Sequence, residues 1–167
     1  TLEMQQLYSF TKGSLHFIVL DSTQLNPAGG YIAYLDAEQL DWLKEELERS
    51  KDKFICIISH IPILSICASL FFNKTEPNAD LKIQRNLIHT DFIALKKIFL
   101  NYPNIKCCIS GHIHLQDEVE YLGIKYFCNG AVSGNWWGGA FQEFNPAYAV
   151  MELHSDGNVK RTMLQYG

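Results

Sequence analysis

No excess of basic charge, no Cys-x-x-Cys pair and no internal repeat occurs in this chain of 167 residues. Each absence removes a class of protein. With 14 Lys and Arg against 18 Asp and Glu, the formal net charge is −4, so bulk nucleic-acid binding is not expected. An anionic small molecule stays open, because bound cations would dominate the local field. The cysteines at 56, 67, 107, 108 and 128 are odd in number and irregular in spacing. They read as buried free thiols, which suits a reducing compartment. No serine or cysteine carries a recognisable nucleophile motif, so a triad hydrolase is not indicated. Low-complexity tracts and linkers are missing too. What is present is a globular composition, 47% hydrophobic and 19% charged, at a length that suits one domain or a large part of one.

One apolar stretch is long enough to test for a membrane. Positions 54–72 contain no Lys, Arg, Asp or Glu, and a run of that length spans a bilayer when helical. It also contains His60, Pro62 and three serines, and it divides into a β-branched strand and a loop. No membrane span is therefore expected. The chain starts at Thr1 and shows no signal-peptide pattern. A missing N-terminus is expected, which leaves export open beside a cytoplasmic location.

Hydrophobic patterning predicts strands over 7–11 and 15–20, joined by a Lys12-Gly13 turn, and further strands over 54–59, 105–110, 118–122, 124–128, 147–154 and 158–164. Asp36 is placed as an N-cap, with Gln39 three residues on in capping-box position. Leu40, Leu43 and Leu47 give the helix that follows one apolar stripe. A second helix is predicted over 91–100 with Phe92, Leu95, Ile98 and Phe99 inward, ended by Tyr102-Pro103-Asn104. Adjacent Cys107 and Cys108 should point to opposite faces of their strand. Residues 61–90 show little periodicity and read either as an active-site lid or binding loop, or as a surface insertion. The order predicts an α/β chain, a mixed sheet or two packed sheets with helices on an outer face.

Two of these strands run into histidine. His60 follows Phe54-Ile55-Cys56-Ile57-Ile58-Ser59. Gly111-His112-Ile113-His114 follows Ile105-Lys106-Cys107-Cys108-Ile109-Ser110. The ends of strands are where open α/β sheets build their sites. Histidines two apart approach each other when the backbone curls, and Gly111 is read as the residue that permits the curl. Neutral imidazole binds zinc, manganese, iron and similar ions. His60, His112 and His114 are thus candidate metal ligands.

On Ser59-His60-Ile61-Pro62 and Gly111-His112-Ile113-His114 the chain resembles the calcineurin-like metallophosphoesterases. The segment Asn129-Gly130-Ala131-Val132-Ser133-Gly134-Asn135-Trp136-Trp137 is similar to members related to cyclic-nucleotide phosphodiesterases and purple acid phosphatases. The resemblance implies a four-layer αββα β-sandwich, of which residues 1–167 would be the C-terminal portion, the N-terminal portion missing. It implies two divalent ions (Mn, Fe or Zn) in the complete protein, His60 and His112 on one and His114 on the other. It implies hydrolysis of small-molecule phosphomonoesters or phosphodiesters by a metal-activated hydroxide. The family's Asp-x-His, Gly-Asp-x-x-Asp and Gly-Asn-His-Glu or Asp motifs do not occur here; Asp21 follows a strand but as Asp-Ser-Thr. The bridging aspartate and the histidine that assists the leaving group are therefore expected upstream. This chain alone is expected to be inactive, with association to the missing half or to a partner chain open.

Trp136 and Trp137 read in two ways: exposed aromatics that stack on a leaving group, or aromatics packed under a glycine-rich loop. Asn135 reads as a phosphate contact or a turn residue. Asp117 and Glu118 read as outer support for a metal-bound histidine, or as ordinary strand-end charges. His16 and His154 read as structural, and His89 as a substrate contact or a loop residue. Two other functions fit the same residues: a non-catalytic interaction module on this scaffold, and a mononuclear zinc protein with an open fourth position.

Overall fold

In the computed structural model, which describes residues 7–166, the near-continuous apolar runs become the middle of a sheet. In chain order the elements are strands β1 (Tyr8–Lys12), β2 (Leu15–Leu20), β3 (Thr23–Leu25) and β4 (Tyr31–Ala33), helix α1 (Ala37–Arg49), strand β5 (Phe54–Ser59) and helix α2 (Ile66–Phe71). Strands β6 (Lys74–Thr75) and β7 (Leu81–Lys82) and helix α3 (Phe92–Phe99) follow. The chain ends with β8 (Ile105–Ser110), β9 (Gln116–Tyr121), β10 (Ile124–Asn129), β11 (Ala147–Leu153) and β12 (Val159–Gln165). Six strands form one sheet in the order β1-β2-β5-β8-β10-β9. The four central strands are parallel, and β1 and β9 close the edges antiparallel. Parallel strands buried on both faces need apolar sequence on both, which Phe54-Ile55-Cys56-Ile57-Ile58 supplies. Charges at Glu118 and Glu120 mark β9 as an edge, where they discourage further pairing.

Two layers cover the sheet. On one face Leu43 and Leu47 of α1 and Leu95 and Phe99 of α3 pack with Ile18, Ile55, Ile57, Ile105 and Cys108. On the other, Cys56, Cys107 and Phe127 pack under Met151, Leu153 and Val159 of the β11–β12 hairpin. Cys107 and Cys108 thus face opposite ways, as adjacent strand residues must. All five cysteines are buried and free. The helices, the large sheet and the start of a second sheet are the α, β and β layers of the expected sandwich; a fourth layer does not appear among the described residues. Arg161 ties the hairpin down, donating to the carbonyls of Asp117 and Cys128 at 2.7 and 3.1 Å and lying 5.1 Å over the Phe127 ring. No described helix is long and apolar enough to cross a membrane.

The expected helices are present. Asp36 Oδ1 accepts the Gln39 amide at 2.9 Å and starts α1. Asp91 precedes α3 but does not cap it; its carboxylate takes the Leu35 amide and His89 Nδ1, both at 2.9 Å. The stretch predicted to be irregular contains α2, whose N-terminus is held from afar. Asp117 Oδ2 accepts Ser65 Oγ at 2.7 Å and the Cys67 amide at 2.9 Å, and Ser65 Oγ accepts the Ala68 amide at 3.0 Å. Asp117 is therefore neither an outer support for histidine nor a solvated charge. His89 is buried, which removes it as a substrate contact. His16 is buried and structural, whereas His154 lies one residue beyond β11 and is exposed.

Candidate metal centre

Strands β5 and β8 lie side by side and parallel, with Ile58 opposite Ile109, so the residues following them emerge together. The Gly111 amide donates to the His60 carbonyl at 3.1 Å and ties the two exits. The chain then curls: the Ile113 amide donates to the Gly111 carbonyl at 2.7 Å. The left-handed backbone falls not on Gly111 but on the histidines themselves, with φ of 65° at His112 and 62° at His114. Gly111 is not among the positive-φ residues, and a Cβ there would meet only Gly130 O at 3.7 Å. Contrary to the expectation from sequence, Gly111 is thus not the source of the curl. Left-handed geometry costs a side-chain-bearing residue about 1–3 kcal/mol and gathers at functional sites.

The curl turns His112 toward His60. Nδ1 of His112 lies 3.0 Å from Nε2 of His60, with the rings 4.7 Å apart and inclined at 70°. The opposite nitrogen, His112 Nε2, is 2.8 Å from the Asn86 carbonyl and 3.3 Å from the Tyr31 hydroxyl. A carbonyl only accepts, so Nε2 carries the proton and Nδ1 presents its lone pair to His60. His114 is arranged in mirror fashion: Nδ1 donates to the Gly134 carbonyl at 2.6 Å, which leaves Nε2 with the lone pair. Carbonyls that fix a tautomer in this manner accompany metal-bound histidines. The pKa of His112 is lowered, first by burial and then by the neighbouring His60 and His114, partly offset by the bond to Asn86. The neutral imidazole that a metal needs is therefore the favoured form.

His60 and His112 are brought together; His114 is turned elsewhere, against Trp136 (rings 4.5 Å apart) and edge-on to Phe141. Among the described residues no three His, Cys, Asp or Glu side chains converge as a metal cluster. Asp21 does not join them; its Oδ1 accepts the Thr23 amide at 3.1 Å. The donor set present fits two imidazole ligands: 3.0 Å is about the separation of two nitrogens each ~2.1 Å from one cation at a right angle. It does not fit a whole coordination sphere.

Known proteins share this arrangement of strands. The chain is 28% identical over 154 residues to a 3′,5′-cyclic-nucleotide phosphodiesterase from Nostoc, a match that covers 89% of this chain and 52% of the relative. It is 24% identical over 130 residues to a 3′,5′-cyclic adenosine monophosphate phosphodiesterase from Haemophilus influenzae, covering 75% and 43%. A dimetal phosphatase from Danio rerio superposes with a TM-score of 0.63 at 15% identity, over 96% of this chain and 60% of that one. The chain is related to the calcineurin-like metallophosphoesterases. No family model matches it. It spans about half the length of the curated relatives it matches.

The groups that orient His112 and His114 carry little signal in the sequence. The Asn86 and Gly134 carbonyls belong to the backbone, which carries no residue-type signal. Tyr31 sits on a three-residue strand too short for periodicity. The glycines did carry a signal at one place: a Cβ on Gly134 would lie 2.3 Å from the Gly139 carbonyl. Trp136 and Trp137 are not packed under their loop; they are 67% and 78% exposed. Asn135 is a turn residue, donating to the Gly139 carbonyl at 2.9 Å and accepting the Gly138 amide at 2.8 Å through its backbone. Its side chain is exposed with the loop.

Proposed function

We propose that this chain is the histidine-bearing portion of a divalent-metal-dependent phosphoesterase that cleaves phosphodiesters of the cyclic-nucleotide kind. The observation that carries the reading is the pair His60 Nε2 and His112 Nδ1 at 3.0 Å, with the far nitrogen of His112 already bound to a carbonyl. His60 and His112 would hold one ion and His114 Nε2 a second. Such ions supply positive charge to the phosphoryl group and lower the pKa of water. The chain's own part is to favour the neutral form of His112, fix the tautomers of His112 and His114 and hold the imidazoles at the mouth of the parallel strands. The lack of a third converging ligand among the described residues supports the further reading that this chain alone is inactive. The remaining ligands would come from the half of the relatives that it does not span. The same lack favours, as a second reading, an interaction module on the scaffold; metal binding separates the two.

Equilibrium dialysis of the 167-residue chain against Zn²⁺ is the first test. Wild type should bind, and His60→Ala and His112→Ala should each weaken binding by about 10-fold or more, since each removes one of two nitrogens. In a protein that also carries the unspanned half, His112→Ala and His114→Ala should reduce hydrolysis of bis(p-nitrophenyl) phosphate by about 100-fold or more. Wild-type rates in both variants would sink the assignment.

A further inference from the structure

Beside His114 stands a feature that metal binding does not require. Trp136 and Trp137 are consecutive, exposed and both left-handed, with φ of 47° and 71°. Bulky residues avoid that region, and two in succession are costly. The loop enforces it through hydrogen bonds: the Trp137 amide donates to the Ser133 carbonyl at 2.7 Å and the Asn135 amide to the Gly139 carbonyl at 2.9 Å. The result is an aromatic wall that starts at the candidate metal ligand. Trp136 lies against His114 at 4.5 Å and edge-on to Phe141 at 5.6 Å, and Phe141 stacks on Phe72 at 6.1 Å. One face of Trp136 is occupied by His114. Trp137 has no aromatic partner among the described residues and is 78% exposed.

We infer that Trp137, set by Trp136 against His114, is a specificity platform for a planar heteroaromatic ring carried by the phosphoester, a nucleobase. This rests on the phosphoesterase reading, because it takes the phosphate to lie at the histidines. The geometry favours a flat ring over an aliphatic chain. An indole presents a broad face and no hydrogen-bond acceptor, and base-on-aromatic stacking is tolerant of which base is present. A sugar phosphate without a base has nothing to place on it.

The test is tryptophan emission of the full 167-residue chain, excited at the red edge, titrated with adenosine 5′-monophosphate and with ribose 5-phosphate, with and without Zn²⁺. The nucleotide should quench the exposed indoles saturably and the sugar phosphate should not. Trp137→Ala should weaken nucleotide binding by about 5- to 150-fold, Trp137→Phe should restore most of it, and both should keep wild-type Zn²⁺ binding. Equal responses to the two ligands, no saturable response to the nucleotide, or unchanged binding in Trp137→Ala would each overturn the platform. Zn²⁺ binding without nucleotide binding removes the platform and leaves the metal centre. Nucleotide binding without Zn²⁺ binding does the reverse.

Discussion

Gly134→Ala should destabilise the chain more than alanine at any other glycine of the described residues. The new Cβ would stand 2.3 Å from the Gly139 carbonyl and 2.9 Å from Pro146 Cγ. Neither is the free end of a flexible side chain, so the loop itself must move. The backbone at Gly134 is also left-handed, with φ of 53°. Overpacking costs about 1–3 kcal/mol and left-handed geometry about 1–2 kcal/mol for an alanine, so a loss of roughly 3 kcal/mol is expected. Gly139→Ala is the control: its φ is 96°, but nothing lies within 4 Å of a Cβ there, so only the backbone part applies. Urea denaturation of both variants checks this. Equal losses would mean that the Gly134 contact yields freely. The functional consequence is local, because the Gly134 carbonyl is what holds the His114 Nδ1 proton.

Glu46→Ala should cost about 2–4 kcal/mol, because it strips a buried polar cluster of its acceptor. Glu46 Oε1 accepts Ser9 Oγ at 2.8 Å and lies 2.8 Å from His16 Nε2; its other oxygen meets Arg49. His16 Nδ1 is in turn 2.7 Å from Thr11 Oγ1. The cluster fastens edge strand β1 to α1, so its loss should show first as fraying of β1. Arg49 is largely exposed, so most of the effect is assigned to Ser9 and His16 rather than to the ion pair. Burial alone would raise the pKa of Glu46. The Ser9 and Arg49 hydrogen bonds and the nearby charges of Arg49 and His16 outweigh it and hold the carboxyl below its usual range. A carboxylate depressed by folding stabilises above the ordinary glutamate range, and the contribution fades as pH falls through the lowered value. Wild type should therefore lose its advantage over Glu46→Ala in acid. A difference constant from pH 7 down to pH 3 would contradict the assignment.

Much of this fold is legible in the residues. The runs 54–59 and 105–110 are apolar on both faces because both faces are covered, and the Leu40, Leu43, Leu47 stripe marks the face that α1 lays on the sheet. Patterns of that kind are local and repeat with the element. Helix α2 was not legible: six residues give no period, and its start depends on Asp117, fifty positions along. The hairpin of β3 and β4 fails for the same reason of length. At the site, the two strand-end histidine motifs leave the sheet side by side, and the structure pairs His60 with His112. What the residue types could not show was the strain. Left-handed geometry fell on His112, His114, Trp136 and Trp137, where side-chain-bearing residues are disfavoured, rather than on the adjacent Gly111. Exposure of the tryptophans likewise depends on a loop closed by backbone hydrogen bonds.

His112 and His114 each keep one nitrogen free for a cation and have the other fixed by a backbone carbonyl. Long-range ¹H–¹⁵N correlation spectra of the imidazole rings test this arrangement directly, before and after Zn²⁺. His112 should be the Nε2–H tautomer and His114 the Nδ1–H tautomer. On addition of Zn²⁺, the ¹⁵N shifts should move at His112 Nδ1 and His60 Nε2 while the His112 Nε2 proton stays. The opposite tautomers, or ring nitrogens indifferent to Zn²⁺, would contradict it.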